Sequence, residues 1–171
     1  MKTKTFLFIL VTIIILLILP SKIQIEPKEI VENMTFITNS DLFFDYEVTK
    51  YPTKVEITST KFLEEGGLIG VVVDPWNLNF GIVPTGGSSV KRQIELFNTK
   101  EKAGKISFKV YGDISPLVSF SDNDFIIHEN ENLTVMIYLN TGNLIGNYSG
   151  EIDVVAKKPK YKFLYPILEW I

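Results

Sequence analysis

The chain has 171 residues, of which 46% are hydrophobic and 22% are charged, a composition typical of one folded globular domain. It contains no cysteine, which excludes disulfide bonds and thiolate zinc sites. The net charge is −3 at pH 7, and the lysines and arginines form no basic stripe, which argues against a nucleic-acid-binding protein.

The first predicted element is an apolar segment at the N-terminus. Lys2 and Lys4 precede an apolar run over residues 6–19, which ends at Pro20. A charged start, a short apolar middle and a turn-forming exit are typical of a secretory signal. Because the exit lacks an A-x-A cleavage site, we favour an uncleaved signal anchor over residues 1–22, with a cleaved signal peptide as the alternative.

Both interpretations place the rest of the chain outside the cytoplasm, because the two lysines keep the N-terminus inside. We predict a single-pass membrane protein whose residues 6–19 lie in the lipid bilayer and whose C-terminal domain lies outside the cell; the alternative is a secreted protein. Without residues 1–22, which carry three lysines, the net charge changes from −3 to −6. N-x-[ST] sequons make Asn33, Asn132 and Asn147 candidate glycosylation sites.

Residues 23–66 are predicted to form a membrane-proximal stalk that contains a β-hairpin. Residues 42–49 and 55–60 have a strand-like composition, and the sequence KYPTK between them places Pro52 in the turn. Two glycines at positions 66 and 67 then lead into the main domain, residues 67–171, whose first strand we predict at residues 68–74.

The main domain is predicted to be an all-β, antiparallel, immunoglobulin-like β-sandwich of seven to eight strands. Apolar and polar side chains alternate in four segments, residues 90–98, 104–112, 131–140 and 148–156. A period of two places alternate side chains on one buried face, and turn-forming residues separate the segments. Arg92 breaks the first pattern, and Glu151 and Asp153 are placed opposite the apolar Ile152 and Val154.

The glycine pair in LNFGIVPTGGSSVKRQIELFN raises the question of a phosphate site. Nucleotide-binding loops lie between a strand and a helix whose N-terminus holds the anion. Gly86 and Gly87 precede an alternating strand instead. We therefore predict that the pair forms a corner leading into that strand, and we predict neither a small-molecule substrate nor a cofactor.

Candidate catalytic residues and metal ligands are few. His128 is the single histidine, and no nucleophile motif such as G-x-S-x-G accompanies it. The acidic residues of two polar loops, Asp122 with Asp124 and Glu129 with Glu131, match no full calcium loop. We predict solvated turns at these loops, and neither a metal site nor enzymatic activity.

The last segment, YKFLYPILEWI, is unusually apolar for a chain end. We predict that it forms the final strand of the sandwich, beside the strand at residues 151–156, with Pro166 at an edge position. The alternatives are a partner-binding or donor-strand segment and a membrane-surface segment. The candidate contact residues of the segment are Tyr161, Phe163, Leu164, Tyr165, Ile167 and Trp170.

Residues 71–171 resemble a known family through four stretches, LNFGIVPTGGSSVKRQIELFN, KISFKV, ENLTVMIYL and GNYSGEIDVV. The family is the ASH type of immunoglobulin-like domain, named after abnormal-spindle, spindle-defective and hydin proteins and grouped with the major-sperm-protein-like folds. With its export signal, the chain looks more like prokaryotic cell-surface relatives than the intracellular eukaryotic members. The resemblance implies a seven- or eight-stranded sandwich that binds other proteins or acts as a spacer, without enzymatic activity.

The resemblance also implies structural roles for single residues. Leu78 and Phe80 fill one end of the sandwich, and Gly81 allows a close backbone turn or bulge. Tyr148 ties its hydroxyl group to upstream backbone, as in a tyrosine corner. Gly150 leaves room for a facing aromatic residue.

Two functions of different classes follow from these predictions. The first is a non-enzymatic extracytoplasmic module, anchored in the membrane, that binds an unknown surface protein through a sheet edge or loops. The second is a secreted structural subunit of a surface filament or envelope assembly, in which self-association lets the apolar end of one chain complete its neighbour's sheet. Pairing of the last segment with its own residues 151–156 favours the module, and the lack of a place for it in its own sandwich favours the assembly.

Overall fold

The structure is a computed structural model that describes residues 29–61, 76–99 and 102–170. Its strands are β1 (Thr35–Ser40), β2 (Phe44–Thr58), β3 (Gly81–Pro84), β4 (Ser89–Phe97), β5 (Gly104–Gly112), β6 (Val118–Phe120), β7 (Phe125–Ile127), β8 (Asn132–Asn140) and β9 (Gly146–Pro159). Two 3₁₀ helices span Ser115–Leu117 and Lys162–Trp170, and the second is called the C-terminal helix below.

Several predicted elements lie outside the described residues. They are the signal anchor over residues 1–22, with its apolar run at 6–19, and the strand predicted at residues 68–74. Within the described ranges, the structure contains no helix that is both long and apolar enough to cross a membrane.

The strands form two sheets. The large sheet has the order β1-β2-β9-β5-β7, with β3 paired in parallel to β2, and the small sheet has the order β4-β8-β6. The pairs along both orders are antiparallel. The protein is therefore an all-β sandwich, as predicted. Within residues 67–171 the structure describes seven strands, β3 to β9, in agreement with the predicted seven to eight, and β1 and β2 add two further strands from the segment before this range.

The four segments with alternating side chains form β4, β5, β8 and β9, which confirms these strand predictions. The core between the sheets contains buried side chains from both of them, including Ile106, Phe108, Val135, Ile137 and Ile152. Burial of these apolar side chains supplies the main driving force for folding. Sequence periodicity therefore identified the strands that carry the core.

Arg92 lies on the core-facing side of β4, in line with the buried Ile94. Its Nε donates a hydrogen bond to the carbonyl oxygen of Asn79 at 2.9 Å, and its Nη2 donates to the same oxygen. Buried polar groups are stable in a sandwich when they are hydrogen-bonded. The residue that breaks the alternating pattern therefore links β4 to the segment at residues 78–80 by hydrogen bonds.

The predicted hairpin around Pro52 is wrong, because residues 44–58 form one continuous strand that pairs with β9 along fourteen residue pairs. The carbonyl oxygen of Pro52 accepts a hydrogen bond from Leu78 N–H at 3.1 Å, on the side away from β9. The proline nitrogen points to that same side, so its missing N–H removes no bond to β9. The segment predicted as a stalk thus contributes strands to the large sheet.

The hairpin in this part of the chain joins β1 and β2 instead. Its turn is built on Asp41, whose Oδ1 accepts hydrogen bonds from the N–H groups of Phe43 at 2.8 Å and Phe44 at 2.7 Å. An aspartate side chain that binds the backbone two and three residues later stabilises a turn. The polar residues Asn39 to Asp41 are the sequence signal of this turn, which the hairpin prediction overlooked.

The glycine pair forms a corner, as predicted. The N–H groups of Gly86 and Gly87 both donate to the carbonyl oxygen of Gly142, each at 2.8 Å. Both glycines have positive φ angles, 92° and 79°, which favour glycine. The amides that would hold a phosphate are therefore already bonded within the protein, and β4 begins two residues later at Ser89.

Candidate interaction surface and buried charge cluster

β1 is an edge strand of the large sheet that lacks the usual protection against pairing. Its sequence, TFITNS, contains neither a charged residue nor proline, and Phe36 and Ile37 remain 59% and 40% exposed. Proteins commonly protect an edge strand with charges, proline, bulges or a very short length. An exposed, uncharged edge of six residues is therefore a candidate site for another strand.

The other edge strands of the described residues carry such protection. In the small sheet, β4 presents the exposed Lys91 and Glu95, and β6 is three residues long. In the large sheet, β7 is three residues long, and β3 has four residues and ends with Pro84. Among the described strands, β1 is thus the one most open to pairing.

A cleft of about 260 Å³ opens between the sheets beside β1. Its apolar wall includes Phe36 of β1, Tyr51 of β2 and Leu96 of β4, and burial raises the pKa of Tyr51 above its ordinary value. At its rim, Lys158 Nζ lies 2.5 Å from Glu47 Oε2. The volume lies just below the lower end of about 300 Å³ for small-molecule pockets, and the apolar wall suits an apolar side chain.

A buried charge cluster, Lys50 with Glu151 and Asp153, lies on the opposite face of the large sheet. Glu151 and Asp153 point to one face of β9, and Lys50 lies opposite Asp153 on β2. Lys50 Nζ is 2.9 Å from Glu151 Oε1 and 3.8 Å from Asp153 Oδ2. The exposed fractions are 5% for Lys50 and 0% for both acids. The alternating pattern predicted that the two acids face away from the core. The structure shows that they do, and that this outer face of the sheet is buried as well.

The chain before β1 crosses this cluster. The N–H of Val31 donates a hydrogen bond of 2.7 Å to Glu151 Oε2, so the two carboxylate oxygens of Glu151 bind Lys50 and Val31. Buried charges are stable when they are paired and hydrogen-bonded. Glu151 therefore ties the entry of the N-terminal segment to the centre of the large sheet.

The two acids of the cluster have opposite pKa shifts. Burial alone would raise the pKa of Glu151, but Asp153, Lys50 and the N–H of Val31 together lower it. Burial, followed by the neighbouring Glu151, raises the pKa of Asp153 to about 7, against the opposing effects of Lys50 and Lys109. Near neutral pH, Glu151 is thus ionised and paired with Lys50, whereas burial and the charge of Glu151 favour the protonated form of Asp153.

The raised pKa of Asp153 makes the stability of the fold depend on pH. A carboxyl group with a pKa near 7 suits acid–base catalysis, but catalysis requires contact with a substrate, and Asp153 is fully buried. In the parts of the chain that the structure describes, no group of three or more histidine, aspartate or glutamate side chains is placed to hold a metal ion.

The predicted final strand at the chain end is wrong, because residues 162–170 form the C-terminal helix. Leu164 and Leu168 are buried against Phe44 and Tyr46 on the outer face of the large sheet. Leu164 and the half-buried Ile167 are three residues apart, the spacing that aligns side chains in a 3₁₀ helix, and Leu168 follows directly; the strand prediction overlooked this pattern. The segment therefore has a place in its own fold, but as a helix on the sheet and not as a strand within it.

The six candidate contact residues of this segment divide into three groups by exposure. Leu164 is buried and holds the helix to the sheet. Tyr165 and Ile167 are half-buried. Tyr161, Phe163 and Trp170 are exposed and available to a partner.

The remaining predicted positions lie on the surface. Asn33, Asn132 and Asn147 are exposed, so an enzyme that attaches a glycan can reach each sequon. His128, Asp122, Asp124 and Glu129 are exposed as well. The N–H of His128 donates to Glu131 Oε2 at 2.6 Å within one turn, which agrees with the prediction of solvated turns.

The motif residues fit the predicted roles with one exception. Leu78 and Phe80 are buried, Gly81 has a φ of 73°, and the Tyr148 hydroxyl lies 3.5 Å from the upstream carbonyl of Ile145. Gly150, however, does not make room for an aromatic ring. A Cβ atom there would overlap the carbonyl oxygen of Tyr111 and lie 2.6 Å from Cγ2 of Ile114.

These features define the protein as a two-sheet, all-β sandwich with an unprotected edge strand and a buried charge cluster. Comparisons with protein-family models, with curated proteins and with solved structures found no match for the chain. Its function is therefore inferred from its own residues.

Proposed function

We propose that the protein is a non-enzymatic, immunoglobulin-like module that is anchored in the membrane through residues 6–19 and binds another protein outside the cytoplasm. The partner adds a strand to the free edge of β1. In this mode of recognition, main-chain hydrogen bonds supply affinity and pockets for alternate side chains supply specificity.

The exposed edge of β1 is the observation that carries this proposal. Ile37 and Phe36 are exposed on opposite faces of an uncharged strand. A strand paired with β1 places every second side chain on the face that bears the cleft beside Phe36. An apolar side chain of the partner then enters the cleft.

The immunoglobulin-like assignment rests on the motif residues and on the two-sheet arrangement. The buried Leu78 and Phe80, and the hydroxyl of Tyr148 near Ile145, support the resemblance to the ASH type of domain. Families of this kind bind proteins or act as spacers, which agrees with an interaction module. The basic residues before the apolar run support the extracytoplasmic location.

Photo-crosslinking in the native host tests the proposed edge. With a photoreactive phenylalanine analogue at position 36, we expect one discrete adduct with another protein. Ile37→Lys places a charge on the edge and should reduce the adduct at least about tenfold, since a charge on an edge strand disfavours pairing. The same analogue at Leu144, an exposed loop residue, is the matched control and should give no such adduct.

The mass of the adduct also distinguishes the anchored module from the alternative, a secreted structural subunit. An adduct of twice the chain mass that depends on Ile37 would identify β1 as a self-pairing edge and favour the assembly. If position 36 gives no adduct, or if Ile37→Lys leaves the adduct unchanged, strand addition at β1 is contradicted.

A further inference from the structure

The C-terminal helix presents large aromatic side chains to solvent. Leu164 and Leu168 fix the helix to the large sheet, whereas Phe163 and Trp170 are 68% and 85% exposed. Tyr161 stacks on Phe163 with ring centroids 5.6 Å apart. Exposed apolar groups that are held in place by the fold mark an interaction site.

Lysines surround the start of this helix. Lys162 is exposed, and Lys102 Nζ lies 3.4 Å from the carbonyl oxygen of Lys160. The ammonium group of Lys160 donates to the carbonyl oxygen of Asp41 and lies 3.8 Å from Asp45 Oδ1, with its side chain 30% exposed. This end of the sandwich therefore concentrates positive charge on a chain whose net charge is −3.

Two further lysines lie behind the helix, on the outer face of the large sheet. Lys157 Nζ lies 4.2 Å from the ring centroid of Phe44. Burial and the nearby Lys105 lower the pKa of Lys157, while Asp41 acts in the opposite direction. Asp41 and Asp45 offset only part of the positive charge of these lysines, so an anionic surface is favoured here.

We infer that the C-terminal helix docks on the surface of a bilayer that contains anionic lipid. The inference rests on the proposed anchor, because residues 20–28 can span at most about 32 Å between the bilayer and the first described residues. Tryptophan and tyrosine favour the membrane–water interface, and lysines next to them attract anionic headgroups. The exposed aromatic residues with adjacent lysines match this chemistry.

Tryptophan fluorescence of the full chain in vesicles tests this inference. The chain has two tryptophans, so Trp76→Phe leaves Trp170 as the single emitter. We would compare vesicles of phosphatidylcholine alone with vesicles that contain roughly 30% phosphatidylglycerol. In the anionic vesicles we expect emission at shorter wavelength and at least about twofold stronger quenching by brominated lipid. Both effects should weaken in about 1 M NaCl, where the Debye length falls to about 3 Å.

Variants at the surface make the test specific. Lys162→Glu and Phe163→Ser should each remove most of the difference between the two lipid mixtures. Lys91→Glu changes an exposed lysine on the small sheet by the same amount of charge and should leave the difference unchanged.

The outcomes separate this inference from the proposed function. If the protein floats with the vesicles but Trp170 emits as in water, or is quenched equally in both lipid mixtures, docking on anionic lipid is overturned and the anchored module remains. If the protein does not float with the vesicles, the anchor and the docking are both overturned.

Discussion

Gly150→Ala is expected to destabilise the protein by about 3 kcal/mol or more, because the new methyl group has no space. A Cβ atom at this position would overlap the carbonyl oxygen of Tyr111 in the paired strand β5 and lie 2.6 Å from Ile114 Cγ2. The carbonyl group belongs to the backbone of a central strand, so it cannot move without disturbing the sheet. Thermal unfolding of the full chain in mild detergent should show a midpoint lower by roughly 10 °C.

Gly104→Ala is the matched control for this substitution. Gly104 lies on β5, which pairs with the strand of Gly150 in the large sheet, but a Cβ atom there would meet the flexible side chain of Lys158, with Cγ at 3.2 Å. We expect a change below about 1 kcal/mol. Equal effects of the two substitutions would show that the contact between Gly150 and Tyr111 does not limit the packing of β9 against β5.

The stability of the protein is expected to fall as the pH rises from about 4 to about 7, and Asp153 is the cause. Its pKa is about 7 in the folded protein and about 3.9 in an unfolded chain. In this pH range the folded state holds a proton that the unfolded state has lost, so the free energy of unfolding decreases with pH, by up to about 1.4 kcal/mol per pH unit. Asp153→Asn should abolish this decrease and be more stable than the wild type at pH 8 by a few kcal/mol.

Urea unfolding at pH 5 and pH 8 measures this effect. Asp122→Asn, at an exposed acid in a loop, is the control and should keep the wild-type pH dependence. If Asp153→Asn unfolds with the same pH dependence as the wild type, Asp153 does not titrate near neutral pH.

In the same urea unfolding experiment, Lys50→Met should be the most damaging change in the cluster. We expect it to lower the free energy of unfolding by about 3 to 5 kcal/mol, because it leaves the Glu151 carboxylate buried without its ammonium partner.

The strands β4, β5, β8 and β9 were predictable because each buries alternate side chains against one core. Periodicity of two is a local property, so the sequence displays it directly. Pro52 misled the prediction because proline commonly marks a turn. Proline is tolerated within β2 because its nitrogen faces the segment of Leu78 and not β9. Sequence periodicity does not reveal which segment lies on which side of a strand.

The buried charge cluster was not predictable from alternation. Glu151 and Asp153 alternate with apolar residues as solvent-facing acids would, and their partner Lys50 lies 101 residues from Glu151 in the chain. Burial of the outer face of the large sheet depends on contacts between residues that are this far apart in the chain. The C-terminal helix, in contrast, carried a usable signal in the three-residue spacing of Leu164 and Ile167, which the overall apolar character of the segment obscured.

The free edge of β1 also depended on the tertiary structure. The residues TFITNS have a composition suited to a strand, but only the order of the large sheet shows that this strand lies at an edge. The candidate site is therefore a consequence of topology, and a single sequence without homologues does not reveal it.

Intact mass together with membrane fractionation of the protein from its native host tests whether an uncleaved anchor holds this sandwich outside the cytoplasm. We expect a chain of at least 19.5 kDa in the membrane fraction, with added mass in sugar-sized steps if Asn33, Asn132 or Asn147 is glycosylated. A chain that lacks residues 1–22 and appears in the soluble extracellular fraction would contradict the anchor and favour the secreted structural subunit.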